Sequence, residues 1–199
     1  MTITAEMVKE LRSKSGIGIM ECKSALNETN GDLEKALEYL RKKGLSTAAK
    51  KQGRSAQEGS VGSYIHAGGK MGVLVEVNCE TDFVAKTPEF QQLVKDIAMQ
   101  VAASSPLCVK KEEVPEDVLQ KEKEIFATQA KNSGKPDKVI DKIVEGRIEK
   151  FYAEACLMQQ PFVKDPDKTI NDLIIEKIQS LGENIIVKRF TRYHLGADS

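Results

Sequence analysis

Apolar residues fall at helical spacing over the first 44 positions, alternate with polar ones after residue 60, and return to helical spacing from residue 88. The opening stretch predicts three short helices. Thr4 can N-cap the first, with Glu6 in its first turn, where the helix dipole favours an anion. Met7, Val8 and Leu11 form its apolar stripe, and Gly16-Ile17-Gly18 breaks it. The second carries Cys22, Ala25 and Leu26 on one face and stops at Asn30-Gly31, suited to a left-handed cap. Asp32 then caps a third, with Leu33, Ala36, Leu37 and Leu40 at i, i+3, i+4 and i+7. Arg41, Lys42 and Lys43 in its last turn, followed by Gly44, read as its end.

Residues 45–60 are small, polar and basic, and read as a linker whose first residues can stay helical. Beyond it Val61, Ser63, Ile65 and Ala67 alternate with Gly62, Tyr64 and His66; Gly68-Gly69 supplies a turn, and Met71, Val73, Val75 and Val77 resume the alternation. That is a β-hairpin. Thr87-Pro88 opens an amphipathic helix through Phe90, Leu93, Val94, Ile97, Ala98 and Val101. A charged helix is predicted over about 115–131. After Ser133–Pro136 comes another, bearing Ile140, Ile143, Val144, Ile148 and Phe151. Gln160 through Pro166 reads as loop, Thr169 caps a helix to Leu181, and Asn184–Leu195 is a third strand.

These elements predict an α+β chain. An N-terminal three-helix unit resembling the ubiquitin-associated fold, with its linker, spans 1–54. A core of a three-stranded antiparallel sheet packed against helices spans 55–199, the last strand returning to pair with the hairpin.

Charge narrows the partners. Lys+Arg and Asp+Glu each number 30, so the broad positive field that favours nucleic acid is missing, and a protein partner fits better than direct nucleic-acid binding. No apolar run approaches the roughly 20 residues of a membrane span, and the charged start MTITAEMVKELR has no secretory signal pattern. Cys22, Cys79, Cys108 and Cys156 are scattered without a CxxC pair, and only two histidines are present. Reduced thiols in a cytoplasmic protein follow, with no metal site and no cofactor expected.

No catalytic residue is indicated either. Cys79 with His66 or His194 as base would need a third, orienting group, for which no signature exists. Phosphate-binding glycine loops are absent, Gly16-Ile17-Gly18 being bracketed by helices instead of following a strand. What stands out is Cys79-Glu80-Thr81-Asp82-Phe83-Val84-Ala85-Lys86, which puts Phe-Val at a strand-to-helix corner. Pattern leaves two readings open. Phe83 packs onto the following helix, or it is an exposed aromatic anchor for a protein partner.

VNCETDFVAK is similar to the signature of the elongation factor Ts family, and so is GIGIMECKSALNETNGDLEKALEYLRKKG. SGKPDKVIDKIVEGRIEKF and QPFVKDP follow in the family's order, so the likeness covers nearly the whole chain. The resemblance implies a guanine-nucleotide exchange factor for elongation factor Tu, in its nucleotide-free and GDP-bound states, with no bond chemistry of its own. It assigns Thr81, Asp82, Phe83 and Val84 to the GTPase's G domain, Phe83 wedging there so that the Mg²⁺ and phosphate site is disturbed. Arg12 and Met20 resemble further contacts of the helical unit, and His66 a contact to another domain of the GTPase. On pattern alone these three also read as a solvated charge, a core residue and a surface histidine. The chain resembles the short form of the family, in which a homodimer with the sheet as its seam is implied. Rival readings are a ubiquitin-like adaptor, an RNA-binding ribosome factor using Lys42–Arg54, and a thiol enzyme using Cys79.

Overall fold

The computed structural model describes residues 3–197. The chain is α+β: eight α-helices among the described residues and a three-stranded antiparallel sheet packed against helices. It divides into two compact units. One takes in the chain up to Val61 with Glu76–Val94 and Asp172–Val187; the other comprises Gly62–Val75, Lys95–Asn171 and the chain from Lys188.

In the first unit, α1 (Ala5–Ser15), α2 (Ile19–Glu28) and α3 (Leu33–Lys51) enclose a core of Val8, Leu11, Ile17, Cys22, Ala25, Leu26, Ala36 and Leu40. This is the ubiquitin-associated arrangement the spacing predicts. Thr4 Oγ1 accepts from Met7 N at 3.3 Å and Asp32 Oδ1 from Lys35 N at 3.0 Å, so both predicted N-caps form. The third helix does not end at Gly44. It continues to Lys51, because Leu45-Ser46-Thr47-Ala48-Ala49 sustains the helix and Gly44 is buried against α8 (Ile170–Leu181).

The sheet has the order β1-β2-β5, from β1 (Glu58–Ile65), β2 (Met71–Cys79) and β5 (Ile186–His194). The hairpin closes through His66 N to Met71 O and Gly69 N to His66 O, both 2.9 Å, with Gly68 and Gly69 at positive φ. Along β2 the buried Val73, Val75, Val77 and Cys79 alternate with the exposed or half-buried Leu74, Glu76 and Asn78. The first strand begins three residues before the predicted alternation. Gly59 explains this: at φ +142 it lies so close to β2 that a Cβ would come 2.2 Å from Val77 O. Only glycine allows that approach.

β2 leads into a single helical turn, α4 (Asp82–Ala85), and then α5 (Pro88–Ser104), whose Thr87 cap accepts from Phe90 N at 3.2 Å. In the second unit, α6 (Glu116–Asn132) and α7 (Asp137–Ala155) pack as a hairpin at the predicted positions. Below it, buried Cys108, Val114 and Cys156 gather Val118, Leu119, Phe151 and Tyr152. The stretch predicted as loop from Gln160 is instead a small antiparallel pair, β3 (Pro161–Phe162) with β4 (Asp165–Thr169). Pattern missed it because β3 has two residues and β4 is DPDKT, polar throughout. Gln100 holds it, accepting from Val163 N at 2.9 Å and donating to Pro161 O at 3.1 Å.

Candidate partner-binding site

β2 delivers the corner as a rigid object. Cys79, the last strand residue, is fully buried, and its Sγ donates to Thr81 O at 3.2 Å. The Thr81 hydroxyl does two jobs: it accepts from Val84 N at 3.4 Å as the cap of α4, and it donates to Glu183 Oε1 at 2.6 Å. Glu183 Oε2 accepts from the backbone N–H groups of Glu80 and Thr81, both at 3.0 Å. In return, Glu80 Oε1 accepts from Asn184 N at 2.6 Å, while Asn184 Nδ2 donates to Arg54 O at 3.0 Å. On the far side Thr87 Oγ1 donates to Val84 O at 2.8 Å, and Gln91 Nε2 to Ala85 O at 2.7 Å. Both ends of α4 are thereby tied down.

The ring at the centre of this scaffold is not tied down. Phe83 is 79% exposed, whereas its neighbour Ala85 is buried and Val84 half-buried. Of the two readings left open by pattern, packing onto the following helix is not what the structure shows. Asp82 accepts from Lys86 Nζ at 2.6 Å, an exposed i,i+4 pair; that hydrogen bond holds the Asp82 carboxyl below its usual range and raises the Lys86 ammonium. Beneath the corner, burial pushes the Cys79 thiol up to about 11, with the Glu183 charge adding to it. Such a thiol is protonated at neutral pH and is no nucleophile.

Of the other sequence candidates, Arg12 is exposed and lines a groove with Ile3, Val8, Lys9, Ile19 and Lys23. Met20 does not complete the helical core: it is 76% exposed, beside a 53% exposed Ile19. His66 lies at the end of β1, exposed, its Nδ1 3.0 Å from the Tyr64 hydroxyl. The basic stretch at 42–54 is largely engaged within the chain. Lys42 pairs with Glu38 at 2.8 Å, Lys43 with Glu21 at 3.5 Å and Arg54 with Glu80 at 3.6 Å, and Lys51 Nζ donates to Gly182 O. Among the described residues no group of three or more His, Cys, Asp or Glu could hold a metal ion, and no helix is long and apolar enough to cross a membrane.

A family model described as elongation factor TS matches residues 34–197. A protein named elongation factor Ts from Geobacter sulfurreducens is 63% identical over 196 residues, 98% of this chain and 91% of that one. The chain belongs to the elongation factor Ts family. Relatives of the same name from Moorella thermoacetica and Caldanaerobacter subterraneus are 63% and 60% identical, each across 98% of this chain and 96% and 97% of theirs. The family match takes in the whole corner from Cys79 to Lys86. It also takes in Glu183 and Asn184, which the sequence reading did not single out. They lie about a hundred positions downstream, and Gly182-Glu183-Asn184 looks there like nothing more than a polar break between a helix and a strand.

Proposed function

We propose that this protein is the guanine-nucleotide exchange factor of elongation factor Tu, working in the cytoplasm during translation elongation and performing no bond chemistry. Membership of the family supports the partner, and the observation that carries the mechanism is the exposed Phe83 ring on a corner hydrogen-bonded from both sides. Thr81, Asp82, Phe83 and Val84 meet the G domain. Phe83 enters between its elements and disturbs the groups holding Mg²⁺ and the phosphates. Burying one phenylalanine is worth about 1.5–3 kcal/mol, enough to bias a two-state element but not to account for full exchange. Arg12 and Met20 on residues 1–54, and His66 on the 55–199 core, add further contacts.

The logic is linkage. A factor that binds the nucleotide-free GTPase more tightly than the GDP-bound one weakens GDP by the same coupling free energy. Losing Mg²⁺ raises the cost of keeping the phosphate charge in place. In this reading the short chain pairs through its sheet into a homodimer that presents two such surfaces, and direct contact with nucleic acid plays no part.

The test is stopped-flow release of a fluorescent GDP from elongation factor Tu. Adding the wild-type protein is expected to accelerate release in proportion to its concentration until it saturates. An unchanged release rate would remove the proposal.

A further inference from the structure

The partner-binding corner is made by one stretch of chain but held by another. Glu183, in the turn between α8 and β5, receives three hydrogen bonds from Glu80 and Thr81: two backbone N–H groups on Oε2 and the Thr81 hydroxyl on Oε1. The exchange is reciprocal, since Glu80 Oε1 takes the backbone N–H of Asn184, which is itself buried. Each turn thus satisfies backbone donors of the other, and every acceptor is a carboxylate, which makes these the stronger class of hydrogen bond. The Thr81 hydroxyl that Glu183 orients is the same one that caps α4 at Val84 N. One carboxylate therefore fixes the direction in which α4 starts, and with it where Phe83 points.

We infer that Glu183 is a positioning residue for exchange: without touching the partner, it keeps the Thr81–Val84 corner in the conformation that presents Phe83. This rests on the exchange reading above. Its physical content is a population. With Glu183 in place the corner occupies the binding-competent state in the free protein. Without it, Glu80 N, Thr81 N and the Thr81 hydroxyl turn to water and the corner samples other states. The apparent affinity for the GTPase then falls by the fraction of time spent competent. The rate at saturation is preserved, because the bound corner is the same one. The loss belongs in KM, not in kcat.

The experiment measures GDP release from elongation factor Tu over a range of factor concentrations for the wild type, Glu183→Ala, Glu183→Gln, Phe83→Ala and the double variant Glu183→Ala/Phe83→Ala. Glu183→Ala is expected to raise KM roughly tenfold with kcat unchanged. Glu183→Gln, which keeps the size and one acceptor oxygen, should fall between it and wild type. In the Phe83→Ala background the same Glu183 substitution should cost clearly less, because the ring is the main contact that the positioned corner presents. Amide hydrogen exchange at Glu80 and Thr81 should speed up in Glu183→Ala, with no change in α1–α3. A wild-type-like KM in Glu183→Ala, or an equal loss with and without Phe83, overturns the inference while leaving the exchange reading intact. Should Glu183→Ala unfold, Glu183→Gln decides by the same two criteria. An inactive wild type removes the exchange reading, and the inference with it.

Discussion

Gly44, midway along α3, lies so close to α8 that a Cβ built on it would come 2.6 Å from Gln179 Oε1 and 3.4 Å from Ile175 Cγ2. A glycine that reads as a helix stop is here a place where two helices meet. Two substitutions separate these roles. Alanine at Gly44 gains up to about 1 kcal/mol of helix propensity, and the Gln179 tip can swing aside, so Gly44→Ala should lie within about 1 kcal/mol of wild type. Gly44→Val adds branched volume against Ile175 and should destabilise by about 1–3 kcal/mol. Urea unfolding with unchanged m values measures both. A valine variant as stable as wild type would mean that the helices do not pack at this position.

That glycine also shows how far local pattern carries. The periods of three to four and of two located α1 to α3, the hairpin, α5 to α8 and β5, because most of these elements turn one apolar face inward and the residue order records it. Where partners rather than faces decide, pattern stops. The run-on of α3 depends on α8, the early start of β1 on the bare backbone of Gly59 beside Val77, and β3–β4 on the side chain of Gln100. At the candidate site, the motif marked Thr81 to Val84. The exposure of Phe83 and the hold of Glu183 belong to the tertiary fold, since no local rule links residues about a hundred positions apart.

Acid should loosen the first unit through Glu89. Its carboxylate accepts from Lys177 Nζ and Ser180 Oγ, both at 2.8 Å. Burial alone would push its pKa up, but those two hydrogen bonds and the Lys177 charge outweigh it and hold the group below its ordinary 4.5. A depressed carboxylate contributes stability that is complete above the unfolded value and is lost as pH falls through the folded one. Thermal melts from pH 7 to pH 3 should therefore drop more steeply below about 4.5 for wild type than for Glu89→Gln. The contribution is at most about 1 kcal/mol, because the pair is partly exposed. Parallel acid limbs in the two proteins would exclude it.

The thiols should be silent in the native state. All four cysteines are buried and free, and burial raises Cys79 to about 11 and Cys108, 3.7 Å from the Cys156 sulfur, to about 12. At pH 8 a disulfide reagent such as DTNB is expected to react within minutes only after denaturation, when all four thiols titrate. Cys79→Ala should cost about 1 kcal/mol of stability and leave GDP release unaltered. Loss of exchange in a folded Cys79→Ala protein would revive a thiol mechanism.

Phe83 offers the sharpest separation of stability from function. With most of its ring already in water, Phe83→Ala removes few native contacts, so unfolding free energy should stay within about 0.5 kcal/mol of wild type. If the ring is buried in the GTPase, the same substitution forfeits about 1.5–3 kcal/mol of apolar burial. Exchange efficiency should then fall roughly 10- to 150-fold by the usual conversion of free energy to affinity. Phe83→Leu keeps much of the apolar area and should recover part of the loss. Asp82→Asn, which breaks an exposed pair with Lys86, should leave the melt close to that of wild type, because solvent screens such a pair. Paired melts and stopped-flow GDP release on these variants read both quantities on the same samples. A folded Phe83→Ala protein that releases GDP as fast as an active wild type would place the driving contact elsewhere on the surface, because no interior role remains for a ring that the protein keeps in solvent.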